Sequence, residues 1–342
     1  GRSNLAYAFA ASLLCRDGGC GTCSDCKQVA ARTHPDLATL TTERVIISID
    51  EVRALVQSSQ YSPAVSRYRV IVIEDADRMA ERTSNVLLKA LEEPPERTVW
   101  ILCAPSEADL IPTIRSRVRS VRLRVPSVPD VAKLIVARDG VDEVTAERAA
   151  RHAQSHIGMA HRLATNPEAA ARREETVRLV LNIMTVREAV LAAARMIEIA
   201  TDDAKAITEE RDGVELDQLR RSMGIAEGDA IPANLRSQVK GLEEQQKRRA
   251  TRSLRDGLDR ILVDLLSVYR DVLRLQLGVS DELINVEFES ELRAAADART
   301  SEDTLATMEA IGEARERIDA NVAPALAMEA LLIRASRSEV PA

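Results

Sequence analysis

Short apolar runs alternate with stretches of helical periodicity over the first 125 residues of the chain. The runs are rich in β-branched side chains and lie at 37–40, 70–73 and 99–103, with a weaker one at 121–125. Continuous apolar strands separated by helices, one of which is predicted to begin near Ser48, are typical of a parallel sheet covered on both faces. The pattern therefore predicts an α/β domain over residues 1–125.

After Pro126 the apolar positions recur only with helical spacing. Residues 126–167 are predicted to form a small helical domain, and residues 168–342 a larger one. The apolar residues from Leu258 to Leu273 follow one another at helical spacings and mark a single helix face. Gly278 is placed to end that helix. The predicted fold class is thus α/β followed by all-α.

The segment 201–255 is rich in charge and weak in periodicity. We interpret its basic run from Lys247 to Arg255 as the start of a helix. A run of like charges is most simply a solvated face, and the alternative is a contact with phosphate groups.

Composition narrows the class of protein. The chain has 342 residues, of which 45% are hydrophobic and 30% charged, as expected of a folded protein. A net charge of −7 and only 2% aromatic residues argue against a DNA-coating protein and against a base-stacking platform. No apolar run approaches the 18 residues of a membrane span, and the cysteines are clustered rather than spread as in secreted disulfide proteins. These features predict a cytoplasmic protein.

A cysteine cluster is the strongest chemical signal in the sequence. It consists of Cys15, Cys20, Cys23 and Cys26, separated by four, two and two residues. Thiolates hold Zn²⁺ tetrahedrally, and two-residue gaps let neighbouring sulfurs turn toward one ion. An iron–sulfur cluster and redox-active thiols are the alternatives, although the C-x3-C-P continuation of a common iron–sulfur pattern is absent. Because no general base lies nearby in sequence, we expect the zinc to be structural.

The run at 70–73 ends in Glu74 and Asp75. Carboxylates in this position hold Mg²⁺ and orient the attacking water in nucleotide-hydrolysing α/β proteins. At the start of the chain, three residues match the end of a phosphate loop of the form G-x-x-x-x-G-K-[ST]: Gly1, Arg2 and Ser3. Together they are candidate residues of a nucleotide site.

Beyond the run at 99–103 the chain carries Arg117. An arginine in this position is either a plain surface charge or an arginine finger, which reaches the γ-phosphate of ATP bound to a neighbouring subunit.

These elements occur in the order found in the clamp-loader subunits of bacterial DNA polymerase III, which are members of the AAA+ class, and the chain resembles that family. The segment 85–95, NVLLKALEEPP, resembles the most distinctive motif of the family. Related residues stand at 34–37, 49–53 and 116–117, and in the helical part at 269–271. The specific motifs cover residues 1 to about 165.

The chain departs from the ATP-hydrolysing motor subunit of this family at residues that act on the subunit's own nucleotide. Where the motor has Asp-Glu, this chain has Glu74 and Asp75. Near the end of the next strand the motor has a threonine that senses the γ-phosphate, and this chain has Cys103 in that region. In the lid, His161 stands where the motor has a sensor arginine. Arg117 is kept. The resemblance therefore implies a subunit of the delta-prime class, which supplies an arginine finger to the adjacent motor without being an ATPase itself.

The resemblance further implies an AAA+ domain with a zinc knuckle at 13–34, a helical lid and a helical collar. It implies a hetero-pentamer with motor and delta subunits, which opens a sliding clamp and places it on primer–template DNA in the replisome at the nucleoid. It also implies that a strand and most of the phosphate loop precede Gly1, so that this chain binds ATP weakly or not at all.

Two other functions are weighed against this one. A motor subunit of the gamma/tau type, with its own ATPase activity, has the same architecture. A stand-alone zinc-dependent nucleic-acid binder would explain the cysteines, but the few aromatic residues and the acidic balance speak against it.

Overall fold

The computed structural model describes residues 1–42, 45–222, 236–279 and 282–336. These residues form two compact units, Gly1–Arg124 and Val125–Ala342. Within the described ranges, every helix is too short or too polar to traverse a lipid bilayer.

The first unit is built around a small parallel sheet. Its elements in chain order are α1 (Arg2–Leu14), α2 (Ser24–Ala30), β1 (Leu37–Leu40), α3 (Ile49–Ser59), β2 (Arg69–Ile73), α4 (Glu81–Glu92), β3 (Thr98–Leu102) and α5 (Pro112–Arg115). The strands lie in the order β1-β2-β3, and both pairs are parallel, with Val70 of β2 opposite Leu37 and Val99. The predicted parallel sheet is therefore confirmed.

The central strand β2 explains why this sheet forms. Its residues 70–73 are fully buried, and successive side chains point to opposite faces. Val70 and Val72 pack against α1 and α2, whereas Ile71 and Ile73 pack against α3 and α4. Burial of each such side chain contributes about 2 kcal/mol, so the continuous apolar run is stable only between two layers of helices.

The predicted strand at 121–125 is wrong. These residues adopt no regular structure, and the side chains of Val121 and Val125 are 73% and 79% exposed. A strand persists only where a neighbour completes its backbone hydrogen bonds, and no described residue pairs with this segment.

The second unit is entirely helical among its described residues. Its helices are α6 (Val128–Asp139), α7 (Glu143–His152), α8 (Ile157–Thr165), α9 (Pro167–Leu181), α10 (Val186–Ser222), α11 (Arg236–Gln276), α12 (Glu289–Asp297), α13 (Ser301–Asp319) and α14 (Pro324–Ser336). Helices α6–α8 enclose one small core, and α9–α14 enclose a larger one. Gly278, at φ +65°, follows the end of α11 as predicted.

The two longest helices, α10 and α11, pack closely against each other. A Cβ atom added to Gly257 of α11 would lie 3.3 Å from the carbonyl oxygen of Ala200 on α10, so a larger residue would fit only if a helix shifted by a few tenths of an ångström. The basic run 247–255 lies inside α11, and its interpretation as a helix start is wrong. Its most buried member, Arg249, pairs with Asp212 and Glu215 of α10.

Candidate functional site

The four cysteines of the cluster converge on one point in the first unit. Their sulfur atoms all lie within 4.8 Å of one another. The Sγ of Cys15 is 3.9 Å from that of Cys20 and 3.6 Å from that of Cys23. Four sulfurs at the corners of a tetrahedron about 2.3 Å from a zinc ion are about 3.8 Å apart, so the arrangement matches the size of such a site.

Two helix ends and a glycine-containing turn position the cluster. Cys15 follows the last residue of α1, and Cys23 caps the first turn of α2 by accepting the Cys26 N–H. The turn between them needs left-handed backbone at Gly19 and Gly21, where φ is +97° and +78°. A Cβ at Gly19 would also lie 3.2 Å from Ser12. The sequence in this turn is thus suited to folding the thiols onto one ion.

The surroundings favour the thiolate at Cys15 and Cys20, where backbone hydrogen bonds lower the pKa, whereas burial and the neighbouring thiols raise the pKa of Cys23 and Cys26. Backbone N–H groups of Asp17 and Gly21 donate to the sulfurs of Cys15 and Cys26 over 3.3 Å each. Hydrogen bonds from the Thr22 and Cys23 backbone lower the pKa of Cys20 to about 6. The cysteines are all free of disulfide bonds, and thiolates are the form that binds metal ions. The four residues can therefore hold a metal ion.

The acidic end of β2 is organised around Glu74. Its Oε1 accepts hydrogen bonds from the Tyr7 hydroxyl at 2.8 Å and the Thr41 hydroxyl at 2.9 Å, and lies 3.1 Å from Nη2 of Arg32. Burial raises the pKa of Glu74, but hydrogen bonds from Ser3, Tyr7 and Thr41 and the charge of Arg32 outweigh it, so the pKa lies below its ordinary value. Glu74 is therefore a carboxylate held by its own unit.

Some of the other candidate residues of the nucleotide site lie near Glu74. Gly1 precedes the first turn of α1, and Arg2 and Ser3 lie within it. Ser3 is brought to Glu74, as its effect on the pKa of that carboxyl indicates. Asp75 follows in left-handed conformation at φ +49° and lies 3.8 Å from Nε of Arg78.

Arg117 lies elsewhere in the unit, two residues after α5. Its Nε donates to Oε1 of Glu92 at 2.6 Å, and its Nη1 donates to the carbonyl of Thr113 at 2.8 Å. About a third of the side chain, 32%, remains exposed. The guanidinium thus lies at the surface of the unit, where Glu92 at the end of α4 holds it in place.

In the second unit, the residues near the predicted lid sensor are engaged with aspartates. Nδ1 of His161 lies 2.9 Å from Asp139, and Nη2 of Arg162 lies 2.7 Å from Asp203. Hydrogen bonds from Arg138 and His161 contribute to lowering the pKa of Asp139 to about 2.

Sequence reasoning missed the residues that hold the candidate groups. Tyr7 and Thr41, which hold Glu74, and Glu92, which holds Arg117, carry no motif for these roles. Asp36 is fully buried and accepts the N–H groups of residues 64–66 at 2.5–2.8 Å. Only its position after a turn-forming His-Pro pair was a signal that it anchors a loop.

In comparisons with known proteins, the chain is similar to subunits of bacterial DNA polymerase III. Residues 1–127 match the family described as DNA polymerase III, delta subunit. The chain is 23% identical over 336 residues to the DNA polymerase III subunit delta' of Bacillus subtilis, and the alignment covers 97% of this chain and 86% of the relative.

Other similarities concern the N-terminal part. The chain is 39% identical over 123 residues to subunit delta' of Pseudomonas aeruginosa. This alignment covers 34% of this chain and only 38% of that relative. It is 30% identical over 143 residues to subunit gamma/tau of Mycobacterium tuberculosis, covering 40% of this chain and 25% of the relative. The chain also superposes on the crystal structure of a DNA polymerase III gamma subunit-related protein from Thermotoga maritima, with 17% identity and a TM-score of 0.40. The superposition covers 92% of this chain and 88% of that chain.

Proposed function

This chain is a homologue of the delta' subunits of DNA polymerase III, and we propose that it serves as a delta'-like subunit of a clamp loader. In this role it assembles with motor and delta subunits into a hetero-pentamer. The complex uses ATP to open a sliding clamp and place it on primer–template DNA. The chain contributes Arg117 to the ATP of an adjacent motor and hydrolyses no ATP itself.

Glu74 carries this proposal. A carboxylate that holds Mg²⁺ or orients water must offer its oxygens to the ligand, because phosphoryl transfer depends on positioning. Here Tyr7, Thr41 and Arg32 all contact Oε1 of Glu74. A carboxylate whose oxygen is already bonded to residues of its own unit is expected in a subunit that has no ATPase activity of its own.

The setting of Arg117 supports the second half of the proposal. An exposed ion pair such as Arg117–Glu92 contributes about 0–1 kcal/mol, so the guanidinium can leave Glu92 at little cost. A γ-phosphate from a neighbouring subunit is a stronger acceptor for the planar fork of an arginine. Glu92 then holds Arg117 ready at the surface until the neighbour binds ATP.

Within this proposal the parts of the chain have distinct roles. Residues 1–125 are the AAA+ domain, 126–167 the helical lid and 168–342 the collar that packs against sister subunits. The metal at Cys15, Cys20, Cys23 and Cys26 is zinc, whose chemistry here is to cross-link the end of α1 to α2. The cysteines are therefore structural and take no part in a reaction.

The test is a reconstituted clamp loader in which this subunit carries Arg117→Ala. We expect assembly to be unchanged and the DNA-triggered ATPase rate to fall at least about tenfold, since arginine fingers contribute larger factors in GTPases. Arg115→Ala, a nearby exposed arginine, is the matched control and should leave the rate unchanged. An unchanged rate with Arg117→Ala would contradict the finger, and ATP hydrolysis by this chain alone would favour a motor subunit.

A further inference from the structure

A cavity of about 400 Å³ lies inside the second unit, between α7, α8 and α9 on one side and α10 and α11 on the other. This volume is in the range that small-molecule sites occupy. Part of its wall is apolar and is formed by Ala153, Leu163, Ile199 and Ile261. The wall also carries four arginines and four aspartates: Arg162, Arg172, Arg173, Arg260, Asp203, Asp256, Asp259 and Asp264.

Three of these arginines share one carboxylate. Asp203 Oδ1 lies 2.7 Å from Nη2 of Arg162 and 2.7 Å from Nε of Arg172, and its Oδ2 lies 3.6 Å from Nη2 of Arg260. Arg172 also lies 3.5 Å, through its Nη1, from Glu168. Three guanidinium groups thus share two carboxylates here, which leaves positive charge in excess at this point of the wall.

The remaining aspartates are committed to other arginines. Asp264 pairs with Arg173 at 2.9 Å. Asp259 lies 2.6 Å from Arg315, and Asp256 lies 3.6 Å from Arg252; neither arginine lines the cavity. The charges of Asp256 and Asp259 still stabilise Arg260, but burial and the charge of Arg162 outweigh them, and the pKa of Arg260 lies below its ordinary value.

Some arginine nitrogens at this point make no hydrogen bond to the described part of the chain. The Nη2 atoms of Arg172 and Arg260 are buried and, among the described residues, donate no hydrogen bond; Nε of Arg172 and Oδ1 of Asp203 lack one as well. A buried charged donor without a partner costs free energy, which a ligand that supplies an acceptor recovers.

We propose that this cavity is a binding site for a small molecule that carries a phosphate group, with Arg172 and Arg260 holding the phosphate beside Asp203. A phosphate monoester carries a charge of about −1.5 to −2 at neutral pH, which is opposite in sign to the excess charge beside Asp203. Its oxygens accept the paired N–H groups of arginine. The apolar wall contacts the body of the ligand. The site lies wholly within the second unit and is separate from the proposed role of Arg117.

The binding test uses the full chain with two probes, inorganic phosphate and phenyl phosphate, by calorimetry and thermal unfolding at matched ionic strength in sodium chloride. We expect both probes to raise the unfolding temperature above the chloride control. Phenyl phosphate should bind at least about tenfold more tightly, because its ring reaches the apolar wall.

Variants separate a ligand site from a purely structural ion-pair network. Arg172→Gln and Arg260→Gln should each weaken phenyl phosphate binding at least about tenfold. Asp203→Asn removes the internal competitor and should tighten binding at least about tenfold, whereas a structural network would only lose stability. Arg178→Gln, an exposed arginine of α9 outside the cavity, is the control and should bind as the wild type.

The proposal is overturned if neither probe raises the unfolding temperature above the chloride control, in the wild type or in Asp203→Asn. It is equally overturned if the folded Arg172→Gln and Arg260→Gln variants, checked by circular dichroism, bind phenyl phosphate as tightly as the wild type. Asp203→Asn keeps the test decisive even if the arginine variants fail to fold.

Discussion

Arg117 and Glu92 form an ion pair across 25 residues of sequence, with Nε of the arginine 2.6 Å from Oε1 of the glutamate. Glu92 is the last residue of α4, and Arg117 follows α5 by two positions. The end of one helix thus holds a guanidinium that must break this pair, and its hydrogen bond to the Thr113 carbonyl, to leave the surface of its own unit.

Replacing Glu92 should have a small effect on stability and on the loader. Because the pair is exposed, we expect Glu92→Gln to lower the free energy of unfolding by less than about 1 kcal/mol in urea titrations. In the reconstituted complex the ATPase rate should stay within about threefold of wild type, since Arg117 remains. Glu93→Gln, at the next exposed position, is the control. If Glu92→Gln reduces the rate as much as Arg117→Ala, Glu92 does more than hold the arginine.

Removing one cysteine of the cluster should remove the metal. We expect about one zinc ion per chain by elemental analysis and its loss in Cys26→Ser, because a structural site needs all four ligands. The thermal unfolding temperature should fall with the metal. Cys103→Ala is the matched control, since Cys103 is buried in the core beyond β3 and outside the cluster. Iron and visible absorption in the purified protein, in place of zinc, would support an iron–sulfur cluster instead.

Removing the Tyr7 hydroxyl tests the network around Glu74. The hydroxyl donates to a carboxylate that is largely shielded from solvent, so we expect Tyr7→Phe to lower the free energy of unfolding of the first unit by about 1–3 kcal/mol. Chemical denaturation followed by circular dichroism measures this loss. Tyr61→Phe is the control and should change little, because Tyr61 is 63% exposed. Equal effects of the two substitutions would mean that the hydrogen bond to Glu74 contributes nothing.

Asp264 should make the second unit more stable in mild acid. Burial raises the pKa of Asp264 to about 6, against the opposing charge of Arg173, while the ordinary value is 3.8. Between these values the folded state binds more protons than the unfolded state, so the free energy of unfolding rises as the pH falls from about 6 to 4. The gain is up to about 3 kcal/mol.

Asp264→Asn removes this titration. The difference in unfolding free energy between wild type and variant, measured by urea denaturation from pH 7 to pH 4, should therefore change with pH in favour of the wild type as the pH falls. Asp297→Asn, at an exposed position, is the control, and its unfolding free energy should change with pH in parallel with that of the wild type. Parallel profiles for Asp264→Asn as well would show that this carboxyl titrates normally.

Local patterns predicted much of the first unit. Strand β1 is found at the predicted residues 37–40, and Ser48 caps α3 with a reciprocal hydrogen bond to Glu51. Both depend on neighbours in sequence, as does the cysteine spacing that brings four thiols together. The segment 121–125 has a weaker apolar pattern, and its conformation depends on a partner strand that no local pattern reveals.

The groups that set the state of the candidate site come from far along the chain. Tyr7 and Glu74 are 67 residues apart, and Arg117 and Glu92 are 25 apart. A tyrosine in a helix and a glutamate at a helix end fit many surroundings, so only the folded chain reveals these contacts. For the same reason the excess charge beside Asp203 could not be predicted, because its arginines come from three different helices.

The close approach at Gly257 fixes the spacing of the two long helices at that point. In Gly257→Ala the new Cβ would meet the Ala200 carbonyl oxygen at 3.3 Å, so one of the two helices would have to yield by a few tenths of an ångström. A single missing methyl group thus sets how tightly α10 and α11 can associate.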